Sequence, residues 1–134
     1  MRTKYFLIPQ EDALGCGIAC IAVALGISYG SVVRKIPKEK YSIYQERGLY
    51  CRDIVSVFKL FGVKDSWSKV TDKNVDLIYN EGNIIYMNDD DHYVIAVKNG
   101  WHDSWINWPK MNPVKAGIIE QLPEKPSYIV VLKK

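Results

Sequence analysis

The sequence predicts an α+β fold, with helices in the first half of the chain and an antiparallel sheet in the second. A long run of small and aliphatic residues over 16–26 and an amphipathic pattern over 50–61 indicate helices. Short apolar runs over 83–88 and 92–97 are bounded by turn residues and indicate strands. With 134 residues, we expect one domain, residues 1–134, whose core is large enough to be stable without disulfides.

The composition is typical of a globular protein that carries little net charge. Hydrophobic residues make up 48% of the chain, charged residues 25%, and the formal net charge is +3. The basic residues are scattered, and their densest stretch, residues 34–40, is interrupted by Glu39, so we expect no nucleic-acid partner. An odd number of cysteines, three, argues against a disulfide framework and for a reducing compartment. No apolar run approaches the ~18 residues needed to span a bilayer, so we expect no membrane span and a cytoplasmic location.

The first two helices are defined by their end signals. The helix over 16–26 closes at Gly26, which suits a C-cap. Ser28 is a good N-cap for a second short helix that runs through Ile36 and is stopped by Pro37.

The remaining elements follow from local patterns of polar, apolar and turn-forming residues. In the first half they are an extended entry over 4–9, a polar loop over 37–49, a helix over 50–61, a strand over 63–70 and a short helix over 72–81 capped by Thr71. In the second half they are strands over 83–88, 92–97, 101–108 and 128–132, with Asn99-Gly100 as a hairpin turn.

Cys16 lies in the first turn of its predicted helix. The unpaired N–H groups and the positive dipole end at that position favour an anion, and therefore a thiolate at Cys16. Gln10, six residues earlier, can curl back so that its side-chain amide and the Cys16 backbone N–H flank one point in space. Two such donors form an oxyanion hole.

The segment Gln10-x5-Cys16-Gly17-x-Ala19-Cys20 resembles the active-site segment of papain-like cysteine peptidases. The closest resemblance is to the double-glycine leader peptidases that process bacteriocin precursors. The match rests on the interval from glutamine to cysteine, the Cys-Gly pair and the second cysteine four residues on. The resemblance implies a papain-like fold, with N-terminal helices packed on a C-terminal antiparallel sheet, and a peptide or protein substrate. It implies no cofactor.

One position departs from that pattern, and one further block supports it. Gly15 stands where the family commonly has an aspartate before the nucleophile. Residues 91–97 resemble the family's general-base strand, in which a histidine opens an apolar run, and this assigns the base to His92. A cysteine nucleophile needs such a base within hydrogen-bond reach, itself oriented by a third group. The other histidine, His102, lacks this sequence context.

The orienting group has two candidates. Residues 103–105, Asp-Ser-Trp, resemble the Asn/Asp-Ser-Trp segment that follows the histidine strand in papain-like enzymes, which favours Asp103. A two-residue turn at 99–100 instead places Asn107 opposite His92, and it places Asp103 opposite Ala96, too far along the strand for a hydrogen bond. Asp103 ranks first on resemblance and Asn107 second on geometry, and a bulge near the turn would bring Asp103 closer.

A metal site is not expected from these residues. Cys16 and Cys20 are spaced as a helical pair, but Cys51 stands alone and the chain contains no Cys-x-x-Cys. The acidic run 89–91 lacks the residue sequence of an EF-hand calcium loop, so we expect a solvated turn there.

The predicted function is cleavage of a peptide bond by Cys16, with His92 moving the proton. Either a stand-alone processing peptidase or a toxin or effector domain would use this chemistry. Two alternatives remain: the same residues suit a deamidase or acyltransferase, because the acyl-enzyme step is shared, or the scaffold is a catalytically silent binding module. Substrate identity and oligomeric state stay open.

Overall fold

A computed structural model describes residues 7–132. Within that range, four α-helices occupy the first half of the chain: Cys16–Leu25 (α1), Tyr29–Lys35 (α2), Lys38–Arg47 (α3) and Cys51–Leu60 (α4). A 3-10 helix covers Val75–Tyr79. The strands described are Asp65–Lys69 (β1), Ile84–Met87 (β2), His92–Val97 (β3), Gly100–Asp103 (β4), Gly117–Ile119 (β5) and Tyr128–Leu132 (β6).

Helix α1 is the central helix and has the predicted boundaries. It begins at Cys16 and is closed by Gly26, whose φ of 68° lies in the left-handed region that favours glycine. All residues from Cys16 to Val23 are buried. A helix that is apolar on every side must be buried on every side. Helix α1 packs against α2, α4 and strand β3.

Helices α2 and α4 also follow their local signals. The Ser28 hydroxyl accepts a hydrogen bond from the Ser31 backbone N–H at 3.1 Å, which caps α2 as predicted. Helix α4 buries Ile54 and Phe58 against the core. Its start is stabilised by the Asp53 carboxylate, which accepts the Tyr50 backbone N–H at 2.7 Å.

The prediction of a loop over residues 37–49 was wrong, because α3 occupies most of it. Its residues are mainly good helix formers, Lys, Glu, Gln and Arg, but they lack the periodic apolar pattern that would have indicated a helix. Tyr44 is the one residue of α3 that is fully buried. The helix ends at Gly48, where φ is 76°.

The sheet is antiparallel, with strand order β1-β6-β2-β3-β4-β5, and together with the helices it confirms the α+β prediction. Strand β3 is buried on both faces. Tyr93, Ile95 and Val97 pack in the core shared with the helices, whereas Val94 and Ala96 pack in a second core on the other side of the sheet. This arrangement explains why the β3 segment reads as a continuous apolar run.

The β3–β4 hairpin forms, but with a different register from the predicted one. Val97 pairs with Gly100, so the turn consists of Lys98 and Asn99, and Asn99 adopts the left-handed conformation with a φ of 67°. Gly100 is the first residue of strand β4, and a Cβ at this position would overlap the carbonyl oxygen of Ile119. The close approach of β5 therefore places this glycine in the strand, and every cross-strand partner shifts by two residues.

Other boundaries differ from the predictions as well. The strand predicted over 101–108 ends at Asp103, because the Trp105 backbone N–H bonds back to the Asp103 carboxylate at 2.9 Å and turns the chain. The chain then returns as β5, which was not predicted. The short helix predicted over 72–81 is the 3-10 helix described above. Of the extended entry predicted over 4–9, residues 4–6 lie outside the described residues.

No single helix within residues 7–132 is long and apolar enough to cross a membrane. Helices α1 and α2 reach that length and composition only when taken together, and they are bent by 102° relative to each other.

Candidate active site

Cys16 lies at the edge of a cleft of about 670 Å³ that is lined by residues of both the helical half and the sheet. It is the first residue of α1, and its side chain is buried except for a small exposed part, 7% for the residue. The first N–H groups of an α-helix have no partner within the helix, so the Cys16 backbone N–H is available to a negatively charged oxygen. Gln10, His92 and Asp103 line the same cleft.

His92 and Asp103 form a direct side-chain pair. The Nε2 atom of His92 lies 2.8 Å from Oδ1 of Asp103, and both side chains are largely buried. The observed hairpin register explains the pair: continuing it places Asp103 opposite Val94, diagonally across from His92. Long side chains reach such diagonal neighbours on adjacent strands. Because Nε2 is engaged by Asp103, Nδ1 is the ring nitrogen left for the Cys16 sulfur.

The surroundings of His92 favour its protonated form. Burial alone lowers the pKa of His92, but hydrogen bonds and electrostatic interactions with Asp103 and with the Cys16 side chain outweigh burial and raise it to about 10. For Asp103 the directions are opposite. Burial alone raises the pKa of its carboxyl group, but the hydrogen bond from His92 and the His92 charge outweigh burial and lower it. At neutral pH the pair is therefore an imidazolium hydrogen-bonded to a carboxylate.

Gln10 is buried and held on both sides of its amide. Its Oε1 accepts a hydrogen bond from the Ser104 hydroxyl at 2.7 Å. Its Nε2 donates to the backbone carbonyls of Asp12 at 3.1 Å and Ala13 at 3.0 Å. These two bonds engage both amide hydrogens, so donation to an oxyanion requires the planar amide to rotate and release one of the two carbonyls.

Asn107 lies away from His92, and the register that placed the two opposite each other was wrong. Its Nδ2 donates to the Pro113 carbonyl at 2.9 Å, and its Oδ1 accepts the Lys115 backbone N–H at 2.9 Å. The Asn107 side chain therefore organises the segment between β4 and β5. The physical reason is the two-residue register shift, which puts Asp103 within reach of His92.

Asp12 and Ser104 both contact Gln10, and no sequence pattern indicated a role for either. Ser104 was quoted only as the middle residue of the Asp-Ser-Trp segment, yet its hydroxyl fixes the Gln10 amide. Asp12 lies in the loop between Gln10 and Cys16, and this position was the one sequence feature that could have indicated a role near the site. Ser104 reaches Gln10 from a segment distant in the chain, and local patterns do not reveal such a contact.

The other two cysteines differ from Cys16 in their surroundings. Cys20 is completely buried, and burial raises its pKa well above the ordinary value. Burial also raises the pKa of Cys51, whose sulfur lies 3.6 Å from the Tyr93 hydroxyl. All three cysteines are free. Within residues 7–132, no group of three or more His, Cys, Asp or Glu side chains is arranged to hold a metal ion.

These surroundings predict selective alkylation of Cys16. At neutral pH, iodoacetamide should label Cys16 well before Cys20 and Cys51, because the His92 imidazolium stabilises a thiolate only at Cys16. Labelling should still be selective near pH 6, where His92 stays protonated. Peptide mapping after timed alkylation of the folded protein measures the order. Equal labelling of all three cysteines in the folded state would contradict a thiolate–imidazolium pair.

The fold and this cleft define a papain-like cysteine peptidase: a cysteine at a helix N-terminus beside a histidine–carboxylate pair contributed by an antiparallel sheet. Residues 4–125 match the family described as the Peptidase C39 family, and the chain belongs to this family. It is thus a cysteine peptidase, as the resemblance implied.

A solved structure supports the fold. It is described as a double glycine motif protease from an AMS/PCAT transporter in complex with the leader peptide. The match has a TM-score of 0.58 and 19% sequence identity, and it covers 98% of this chain and 92% of that chain. No curated protein matches the sequence.

Proposed function

We propose that this chain cleaves a precursor peptide after a double-glycine motif, with Cys16 as nucleophile, His92 as proton carrier and Asp103 as the group that orients His92. The observation that carries the proposal is the juxtaposition of Cys16 with the buried His92–Asp103 pair in one cleft. Family membership and the leader peptide named for the structural neighbour support the substrate class. The same leader peptide favours precursor processing over a toxin or effector role.

In the first step, the Cys16 thiolate attacks the carbonyl carbon of the scissile peptide bond. A C–S bond forms, and the negative charge on the carbonyl oxygen is stabilised by the Cys16 backbone N–H and by Gln10. The His92 imidazolium gives the proton on its Nδ1 to the leaving amine, and the C–N bond breaks. The products are a free amine and an acyl-enzyme.

In the second step, neutral His92 removes a proton from a water molecule, which attacks the acyl carbon. The C–S bond breaks, the peptide leaves as a carboxylic acid, and the thiolate–imidazolium pair is restored. Throughout both steps the Asp103 carboxylate holds Nε2 of His92, which keeps Nδ1 directed at the reacting atoms.

The aromatic lining of the cleft suits an extended peptide with apolar side chains. The lining includes aromatic residues from several elements: Tyr50, Trp67, Tyr86, Trp105, Trp108 and Tyr128. Gly48, which follows α3, also lines the cleft and presents backbone without a side chain. Aromatic side chains provide large contact areas at a small cost in conformational entropy, which suits binding of a flexible peptide.

The direct test uses synthetic peptides that contain a double-glycine motif followed by several residues. Mass spectrometry of the digest should show a single cut after the second glycine. A matched peptide with two alanines in place of the glycines should be cut much more slowly. Two other outcomes would contradict the proposal: an uncut peptide in which glutamine has become glutamate indicates a deamidase, and no turnover together with unselective alkylation indicates a silent binding module.

Gln10→Ala is expected to lower kcat while leaving alkylation of Cys16 nearly unchanged. An oxyanion donor acts mainly in the transition state of acyl transfer, and loss of one such donor typically costs ~10²–10³ in kcat. Alkylation by iodoacetamide forms no oxyanion and reports only on the thiolate. Steady-state cleavage and alkylation rates of the same preparations provide the comparison. A Gln10→Ala enzyme with wild-type kcat would remove Gln10 from the reaction.

A further inference from the structure

The carboxylate of Asp12 is the meeting point of two helices and the loop that leads to the nucleophile. The Tyr29 hydroxyl of α2 donates to Oδ2 at 2.6 Å, and the Tyr41 hydroxyl of α3 donates to the same oxygen at 2.8 Å. The Gln45 side-chain amide, also on α3, donates to Oδ1 at 3.1 Å. Hydrogen bonds to an ionised carboxylate are roughly twice as strong as neutral ones, so this cluster ties the loop firmly to both helices.

The backbone of the same residue organises the loop itself. The Asp12 carbonyl accepts the Gly15 backbone N–H at 3.0 Å and the Gln10 Nε2 at 3.1 Å. The Asp12 backbone N–H donates to the Tyr29 hydroxyl at 3.3 Å. The position of Asp12 therefore determines where the Gln10 amide lies relative to the start of α1.

The two tyrosines remain hydrogen-bond donors over the whole neutral range. Burial, the hydrogen bond to Asp12 and the charge of Asp12 raise the pKa of Tyr41 to about 12, and the same causes raise the pKa of Tyr29 further. Neither hydroxyl loses its proton at the pH values at which the enzyme is assayed, so their bonds to Asp12 persist.

Tyr29 also accounts for the glycine before the nucleophile. A Cβ at position 15 would overlap the Tyr29 hydroxyl. In this chain the hydroxyl and its bond to Asp12 occupy the space that a side chain at position 15 would fill. Gly15, Tyr29 and Asp12 therefore form one packing unit next to Cys16.

We propose that Asp12 is a positioning residue that holds the Gln10 amide and the Cys16 N–H at one oxyanion site. This inference rests on the proposed function and deepens it. In the resting structure one hydrogen of the Gln10 amide is bound to the Asp12 carbonyl, which also accepts the Gly15 N–H. When an oxyanion forms, the planar Gln10 amide rotates so that this hydrogen is donated to the oxyanion, and the Asp12 carbonyl keeps the Gly15 bond and is not left unpaired.

The first test removes the two tyrosine hydroxyls that donate to Asp12 and leaves the aromatic rings in place. A double variant, Tyr29→Phe with Tyr41→Phe, should lower kcat for the double-glycine peptide by about 10²-fold, the cost of misplacing a catalytic group by about 1 Å. The rate of Cys16 alkylation should stay within about twofold of wild type, because alkylation does not use the oxyanion site. Asp12→Asn should show the same split between kcat and alkylation.

Matched controls exist in the same segments. Tyr44→Phe removes a buried hydroxyl from α3, and Glu11→Gln neutralises the exposed carboxylate next to Asp12. Neither touches the Asp12 cluster, so both should cleave at the wild-type rate. Unchanged kcat in the double variant, or alkylation that falls in parallel with kcat, would overturn the positioning role.

A double-mutant cycle asks whether Asp12 acts through Gln10. If it does, Asp12→Asn should cost little further activity in a Gln10→Ala background, since the group that it positions is already gone. Full additivity of the two losses would overturn the inference.

A spectroscopic readout separates failure of this inference from failure of the proposed function. The ¹⁵N-correlated resonances of the Gln10 side-chain amide should shift or broaden in Asp12→Asn and in the tyrosine double variant, but not in Tyr44→Phe. This result is expected even if the wild-type protein cuts no peptide, which would refute only the proposed function. Unmoved Gln10 resonances would refute the positioning role whatever the activity.

Discussion

Cys16→Ala is expected to abolish peptide cleavage, with a loss in kcat of about 10⁵-fold or more, the scale seen when a nucleophile is removed from a catalytic unit. Alanine provides no atom to attack the carbonyl. The remaining thiols cannot replace it, because burial raises the pKa of both Cys20 and Cys51 and keeps them protonated. Mass spectrometry of digests measures the loss, and circular dichroism checks the fold.

The matched control for this loss is Cys20→Ala, which removes a sulfur from the same helix one turn further on. Cys20 is fully buried, so this variant should lose some stability while retaining cleavage. Comparable cleavage by Cys16→Ala and wild type would refute Cys16 as the nucleophile. In pull-down experiments, Cys16→Ala should also retain uncut substrate, because the cleft that binds the peptide is intact.

Asp103→Asn is expected to have the second largest effect, a loss in kcat of roughly 10²–10⁴, as found when the orienting carboxylate of a catalytic histidine is replaced by an amide. The change removes the negative charge that raises the pKa of His92. The pKa of His92 should therefore fall from about 10 toward the ordinary value of 6.5. An NMR titration of the His92 ring reports this shift directly.

The lower pKa of His92 in Asp103→Asn should also change how activity depends on pH. In the proposed mechanism the active form has protonated His92, so activity should decline on the alkaline side as that proton is lost. In Asp103→Asn the decline should begin at a lower pH and narrow the profile. Asn107→Ala is the control, because Asn107 bonds only to the segment between β4 and β5. A His92 pKa that is insensitive to Asp103→Asn would refute Asp103 as the orienting group.

The same pKa shift predicts a change in stability. The pKa of His92 is higher in the folded protein than in the unfolded chain, so its protonation stabilises the fold fully below about pH 6.5 and this contribution is lost as the pH rises toward 10. The wild-type Tm should therefore fall across this window. Asp103→Asn should show a smaller fall, because less of the shift remains. Thermal unfolding followed by circular dichroism at stepped pH measures both.

The helices show where sequence patterns are sufficient and where they are not. The boundaries of α1 and α2 follow from Gly26 and Ser28, because caps act on the backbone within one turn. Helix α3 was missed although most of its residues are good helix formers. It contributes one fully buried residue, Tyr44, so it has no apolar stripe to reveal it.

The hairpin shows how a small local ambiguity changes the interpretation of the site. Asn99-Gly100 correctly indicated a turn between β3 and β4, but the turn begins one residue earlier. The deciding contact is the close approach of Gly100 to Ile119 on β5, a strand that the sequence patterns did not reveal. The resulting register puts Asp103, and not Asn107, beside His92.

Local sequence patterns were enough to predict the fold class, the helix that begins at Cys16 and the chain order of a cysteine followed by a histidine. These depend on short-range physics: side-chain periodicity, helix caps and residue types at fixed spacing. Three contacts could be identified only in the folded protein: Asp103 binds Nε2 of His92, Ser104 holds the Gln10 amide, and Asp12 joins the loop before Cys16 to two helices. Each of these contacts links segments that are separated along the chain, and sheet register and helix packing bring them together.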